Sequence, residues 1–237
     1  MDMKISGKGV ISSGEYGTLT TGGSERLSGF IKCESLASSG TLKGDGIECT
    51  ESVNASGRAF FLGDVKAKSV NTYGNFSIGG NLYADTEISS SGKLSCGGSI
   101  KCDQLFAKGK LRVGNDIAAK RVKVSGALTC QGLVADEVKI TFGKSTSICN
   151  IDSEEITATA TGTTKILKKI PVLSSLIKNA RVGELIKGKN VNLEYVSCPL
   201  VTASSVIIGD GCSIGLVQYT KSIKISPKAK VGKAEKI

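Results

Sequence analysis

Apolar and polar positions alternate along most of this chain, and the alternation itself repeats. Glycines recur at Gly23, Gly40, Gly57, Gly74, Gly92, Gly109, Gly126 and Gly143, at intervals of 17, 17, 17, 18, 17, 17 and 17. Four residues before each stands an apolar side chain: Leu19, Leu36, Val53, Val70, Ile88, Leu105 and Val122, with Val138 taking the eighth place one position early. Two residues after the glycines come Leu42, Ala59, Phe76, Leu94, Leu111 and Leu128, and a third series follows at Ile47, Val65, Leu82, Ile100, Ile117 and Val134. Each anchor has a second inward partner two residues on, as in Ala55, Phe61 and Cys49. A period of two is strand periodicity, with alternate side chains on opposite faces. The repeat therefore predicts three short strands per coil of about 17 residues, with glycine at a corner. One coil cannot bury its own apolar face, so neighbours must stack on it. The predicted fold is all-β: a β-helix solenoid of about a dozen coils.

The register weakens after Gly143, and three segments follow from this. Residues 1–162 form regular coils, 163–182 form an insertion, and 183–237 form the final coils and a basic tail. Within the insertion Ile166, Ile170, Leu173 and Ile177 fall at helical spacing, flanked by Leu167 and Leu176. Pro171 fits the first position of a short helix running to about Ala180. Strand alternation resumes at Val191, Leu193 and Val196.

Composition narrows the chemistry. The chain has 30 Gly, 3 Pro, no Trp and no His. The lack of His removes the commonest general base and metal ligand. The eight cysteines form no Cys-x-x-Cys unit, and four of them fall on inward ladders beside alanine or valine. They read as packed, reduced thiols of a cytoplasmic protein. Gly143-Lys144-Ser145-Thr146 resembles the end of a phosphate loop, but Val138 stands where that loop needs glycine. Ile208-Gly-Asp-Gly-Cys-Ser-Ile-Gly215 resembles a hexapeptide acyltransferase repeat, yet those enzymes use a His base. No enzyme activity, cofactor, metal or nucleotide is expected, and a nucleic-acid partner is disfavoured.

Charge is unevenly spread. Residues 1–164 carry 18 basic and 17 acidic side chains, whereas residues 165–237 carry 13 and 4. Lys165, Lys168, Lys169 and Lys178 flank the apolar Ile166, Leu167, Ile170, Leu173, Leu176 and Ile177. A basic amphipathic segment of this kind suits an anionic membrane surface. The same face also suits packing on the solenoid, and the pattern leaves both open.

The coil pattern, the opening Lys4-Ile-Ser-Gly-Lys-Gly9, the ending Val206-Ile-Ile-Gly-Asp-Gly-Cys212, Tyr219 and Ser226-Pro-Lys-Ala-Lys-Val231 resemble bactofilins, the polymer-forming bacterial cytoskeletal proteins, in their longer Gram-positive form. The resemblance spans nearly the whole chain except residues 163–182. It implies a right-handed β-helix that polymerises end to end without nucleotide. It also implies a cytoplasmic scaffold, often at the membrane, that positions cell-wall or morphogenesis machinery. A solenoid exposes an unpaired strand layer at each end, which templates a further subunit. The candidate layers are Ile5, Val10 and Ile11 at one end and Ile223, Ile225 and Val231 at the other. The competing expectation is a monomeric β-helix that docks a protein or a polyanion on one flat face.

Overall fold

A computed structural model describes residues 1–143, 146–168 and 179–237, with only the backbone described at Thr164, Leu167 and Lys168. It is all-β, a parallel β-solenoid of about 13 turns among the described residues. Two compact units divide it, Met1–Ala118 and Ala119–Ile237.

In the first unit the strands are β1 (Met3–Ile5), β2 (Lys8–Thr21), β3 (Ser24–Phe61), β4 (Val65–Ile78), β5 (Leu82–Cys96) and β6 (Ile100–Val113). Each pairs in parallel with the next in sequence. The predicted series become ladders. Val53, Val70, Ile88 and Leu105 stand in register, as do Ala59, Phe76, Leu94 and Leu111. Ile47, Val65, Leu82 and Ile100 form the third. All twelve are buried. The walls carrying these three series are called first, second and third below. Strand β3 is long because its corners stay extended, so one strand runs through more than one coil.

The corners explain the glycine period. Gly74 and Gly92 have φ of 116° and 122°, where L side chains are strained. A Cβ on either would press into the carbonyl of the glycine one coil below. The 18-residue interval before Gly92 is absorbed by a register shift after Ala67, where the Thr86 hydroxyl donates to the Lys68 carbonyl at 2.8 Å. At another corner the coils satisfy one another's backbone. The Asp64 carboxylate accepts the Asn81 amide at 2.7 Å, and the Asn81 side chain accepts the Ser99 amide at 2.9 Å.

The second unit contains most of β7 (Ile117–Phe142), then β8 (Ser147–Ala160), α1 (Gly162–Lys168), β9 (Ala180–Leu193), β10 (Val196–Ile208), β11 (Ser213–Ile225) and β12 (Lys230–Lys236). Strand β8 pairs directly with β9, with Ile151 opposite Ile186 and Ile156 opposite Val191. The chain thus leaves the wall after Ala160 and re-enters at Ala180 without interrupting the ladder.

Three expectations change here. The helix expected from Pro171 lies outside the described residues, whereas the described helix is Gly162–Lys168 and Ala180 is strand. Strand pairing resumes before Val191, because Val182 and Ile186 also point inward and are buried. Val134 is 57% exposed, and Leu133 takes the inward place opposite Ile151. The preceding coil is one residue shorter than assumed, and a one-residue slip turns a side chain to the other face. Cys149 is exposed, on the outward position after buried Ile148, while the other seven cysteines are buried and all are free thiols.

Candidate functional site

The ends of the ladders are where this structure leaves backbone and apolar surface unmatched. Within the second unit, Val206 lies between Val191 and Ile223, and Ile208 between Leu193 and Ile225. The four covered residues are essentially fully buried, whereas Ile223 is half-buried and Ile225 is 40% exposed. Strand β12 covers β11 only from Ser213 to Tyr219, so among the described residues no strand lies over Lys221–Ile225. Val231 continues the Cys198–Ile214 ladder and is half-buried. The turn leading into β12 is pinned by the Ser226 hydroxyl, which donates to Asp210 at 2.5 Å, with the Lys228 ammonium 3.6 Å from the same carboxylate.

In the first unit, β1 pairs only with Leu19–Thr21. The Asp2 carboxylate accepts the Thr18 amide at 2.8 Å, and the Gly17 amide donates to the Met1 carbonyl at 2.9 Å. This terminal stretch closes part of the end layer and leaves Lys8–Tyr16 of β2 open on one edge. Ile5 is half-buried above Thr21, and Ile11 is buried in register with Leu27. Val10 points outward and is 66% exposed, so it belongs to the outer surface of the coil and not to its inward layer.

Sequence reasoning missed two features of this end. Asp2 gave no signal in the repeat. Glu25 did, because it falls 17 residues before Leu42, on an inward position. It is buried, its Oε1 accepts the Gly23 amide at 2.7 Å, and its Oε2 has no partner. Its rung neighbour Gly9 has no side chain to cover it. An inward carboxylate at an end layer opposes stacking by a purely apolar partner.

The candidate membrane segment is mostly beyond view. Lys169, Ile170, Leu173, Leu176, Ile177 and Lys178 lie outside the described residues, as do the side chains of Leu167 and Lys168. Ile166 is 65% exposed, and the Lys165 ammonium pairs with Glu194 on the solenoid. Lys144 and Ser145 of the loop-like sequence also lie outside the described residues. The acyltransferase-like segment is a corner, with Gly211 at φ 68° between β10 and β11 and Cys212 and Ile214 buried. Among the described residues no cluster of Cys, Asp and Glu is arranged to hold a metal ion, and no helix is long and apolar enough to cross a membrane.

Most thiols are set for packing. Burial pushes Cys96, Cys198 and Cys212 up to about 11 and Cys102 up to about 12. Cys33 and Cys49 occupy adjacent rungs with sulfurs 3.0 Å apart. The hydrogen bond from Cys49 holds the Cys33 thiol below its ordinary value, and burial opposes this; the Cys49 thiol is raised by the same bond and by burial.

These features define a parallel β-solenoid in which, among the described residues, Lys8–Tyr16 and Lys221–Ile225 each have one unpaired strand edge. The chain is similar to the uncharacterized protein YhbF of Bacillus subtilis (strain 168), with 32% identity over 76 residues, which is 32% of each chain. The match thus spans about a third of that relative's length. No family model and no solved structure matches the chain.

Proposed function

We propose that this protein is a structural scaffold that assembles end to end through its terminal coils, without nucleotide. One observation carries the reading: Ile225 is 40% exposed at the end of a ladder whose inner members Leu193 and Ile208 are fully buried. A further coil laid over Lys221–Ile225 pairs the open strand and completes that burial. For Ile225 alone the gain is about 1 kcal/mol. The bactofilin resemblance of the sequence supports the same reading, with a cytoskeletal role in cell shape or cell-wall organisation and contact with the membrane through residues 165–178. Of the lysines of β12, Lys233 is paired with Glu235, while Lys236 continues the ladder of Ala203 and Tyr219 at the end layer.

A second reading has its own observation. Glu25 places an unpartnered carboxylate oxygen beneath the first unit's open layer, a device that keeps an end from stacking. The chain is then a monomeric module that binds a partner on a wall.

Electron microscopy and analytical ultracentrifugation over a concentration series, without nucleotide, separate the two. The scaffold reading expects polymers whose length grows with concentration, shortened by Ile223→Arg or Ile225→Arg. A wild-type protein that stays monomeric across salt and pH refutes it.

A further inference from the structure

The first unit is nearly neutral, with 13 basic and 12 acidic side chains, but its charge is sorted by wall. On the second wall the outward position before each anchor carries Lys8, Arg58, Lys93 and Lys110, in the rows Lys8–Ser24, Arg58–Asn75 and Lys93–Lys110. The outward position after the anchor carries Arg26, Lys43 and Arg112, and Lys108 stands at the corner beside Ser91. All eight are exposed. Within the short segments that form this wall the only carboxylate is Glu25, which points inward and is buried. Asp45 and Asp64 sit past the wall, at the corner leading to the third, where each accepts a backbone amide at 2.7 Å.

The third wall shows what a balanced surface looks like in this protein. There Lys66 pairs with Glu48 and Lys68 with Glu51, each at 2.9 Å across adjacent coils. No cation of the second wall has such a partner among the described residues. Lys93 and Lys110 are instead direct neighbours on adjacent strands, an arrangement that repels. Seven of the unit's 13 cations thus share one outer face, with Lys108 at one corner and Asp45 and Asp64 at the other.

We infer that this wall is a docking face for an anionic lipid bilayer. Charge complementarity sets the sign of the partner, and the apolar side chains set its class. Val10 and Phe60 are exposed on the same wall, Leu62 is exposed at the corner one coil above Asp45, and Tyr73 is exposed at the other corner, in Lys108's row. Val10 and Leu62 have no π-face for stacking bases, but they insert between lipid headgroups as readily as Phe60 does. A parallel sheet wall is also broad, and it presents its cations in several rows at once, whereas a nucleic-acid strand follows a groove. The face is built from residues other than 165–178, and the inference does not depend on self-assembly.

The test is flotation of the full-length protein with phosphatidylcholine vesicles, with and without about 30 mole per cent phosphatidylglycerol. Flotation separates bound protein from polymers, which sink. Wild type is expected to float with anionic vesicles only, and to be released near 0.5 M salt, where screening shortens to roughly 4 Å. The triple variant Lys93→Gln, Lys110→Gln, Arg112→Gln is expected to bind about 100-fold more weakly, at roughly fivefold per cation near an anionic surface. The third-wall control Lys66→Gln, Lys68→Gln, Lys101→Gln is expected to lose far less. Circular dichroism checks that both variants remain folded, as exposed substitutions should. Equal losses in the two triples, or binding that is indifferent to phosphatidylglycerol, overturn the inference. So does tighter binding of a DNA or RNA oligonucleotide that is lost in the second-wall triple, which assigns the face to nucleic acid.

Discussion

Replacing Gly92 by alanine tests the geometry on which every coil depends. Gly92 sits at φ 122°, and a Cβ there would lie well inside contact distance of the Gly74 carbonyl. The backbone conformation alone costs an L residue about 1–3 kcal/mol. The clash is with backbone, so it is relieved only by opening the spacing between two coils. That weakens neighbouring strand hydrogen bonds, each worth about 1 kcal/mol. Alanine's smaller unfolded-state entropy returns about 0.4–1 kcal/mol. The net expectation is destabilisation by about 3 kcal/mol, in the range of mutations that break a special backbone position. Gly162 is the control. It lies in α1, a Cβ there meets nothing within 4 Å, and its φ is ordinary, so Gly162→Ala is expected to be neutral or to stabilise by up to about 1 kcal/mol. The assay is equilibrium urea unfolding followed by circular dichroism, under conditions where all variants have the same assembly state, because association adds concentration-dependent stability. If Gly92→Ala falls within about 0.5 kcal/mol of wild type, or if both alanines cost the same, the account of the corners is wrong.

Phe61 lies fully buried against Phe76, with ring centroids 5.9 Å apart, and above Gly44, where a Cβ would strike its ring. Phe61→Ala is expected to cost about 3–5 kcal/mol in the same unfolding assay. Thiol labelling of the native protein at neutral pH is expected to modify Cys149 first, because it is the one exposed cysteine. Fast labelling of Cys102 or Cys212 would contradict their burial. Cys96, Cys102, Cys198 and Cys212 have folded values of about 11 to 12, above the ordinary 9.0, so the folded state holds these protons more tightly than the unfolded chain. Stability is therefore full below pH 9 and is expected to fall as pH rises through 11. Replacing these four cysteines by alanine should flatten that alkaline decline in pH-dependent urea unfolding.

The sequence by itself determined the repeat, the three anchors per coil and the strand alternation, because a period of 17 with inward residues at every second position has one economical reading. Val138 was placed correctly even though it breaks the spacing, since only an apolar residue satisfies the ladder. The same logic failed at Val134, where two adjacent apolar residues compete and only the pairing of Leu133 with Ile151 decides which faces in. It also missed the return at Ala180, because Val182 and Ile186 lie outside the glycine register and reveal their place only opposite Ile148 and Ile151. Tertiary structure alone decided the sorting of charge. Along the chain, cations and carboxylates of the first unit nearly cancel, but winding places residues 17 apart side by side and residues two strands apart on different walls. Surface charge is a property of the wall, which combines short pieces of many coils, so Lys93 and Lys110 become neighbours while Asp103, closer to Lys110 in sequence, belongs to another wall. Ile225 is an end-layer candidate in the sequence, but that β12 stops short of it, at Tyr219, is visible only in the strand pairing.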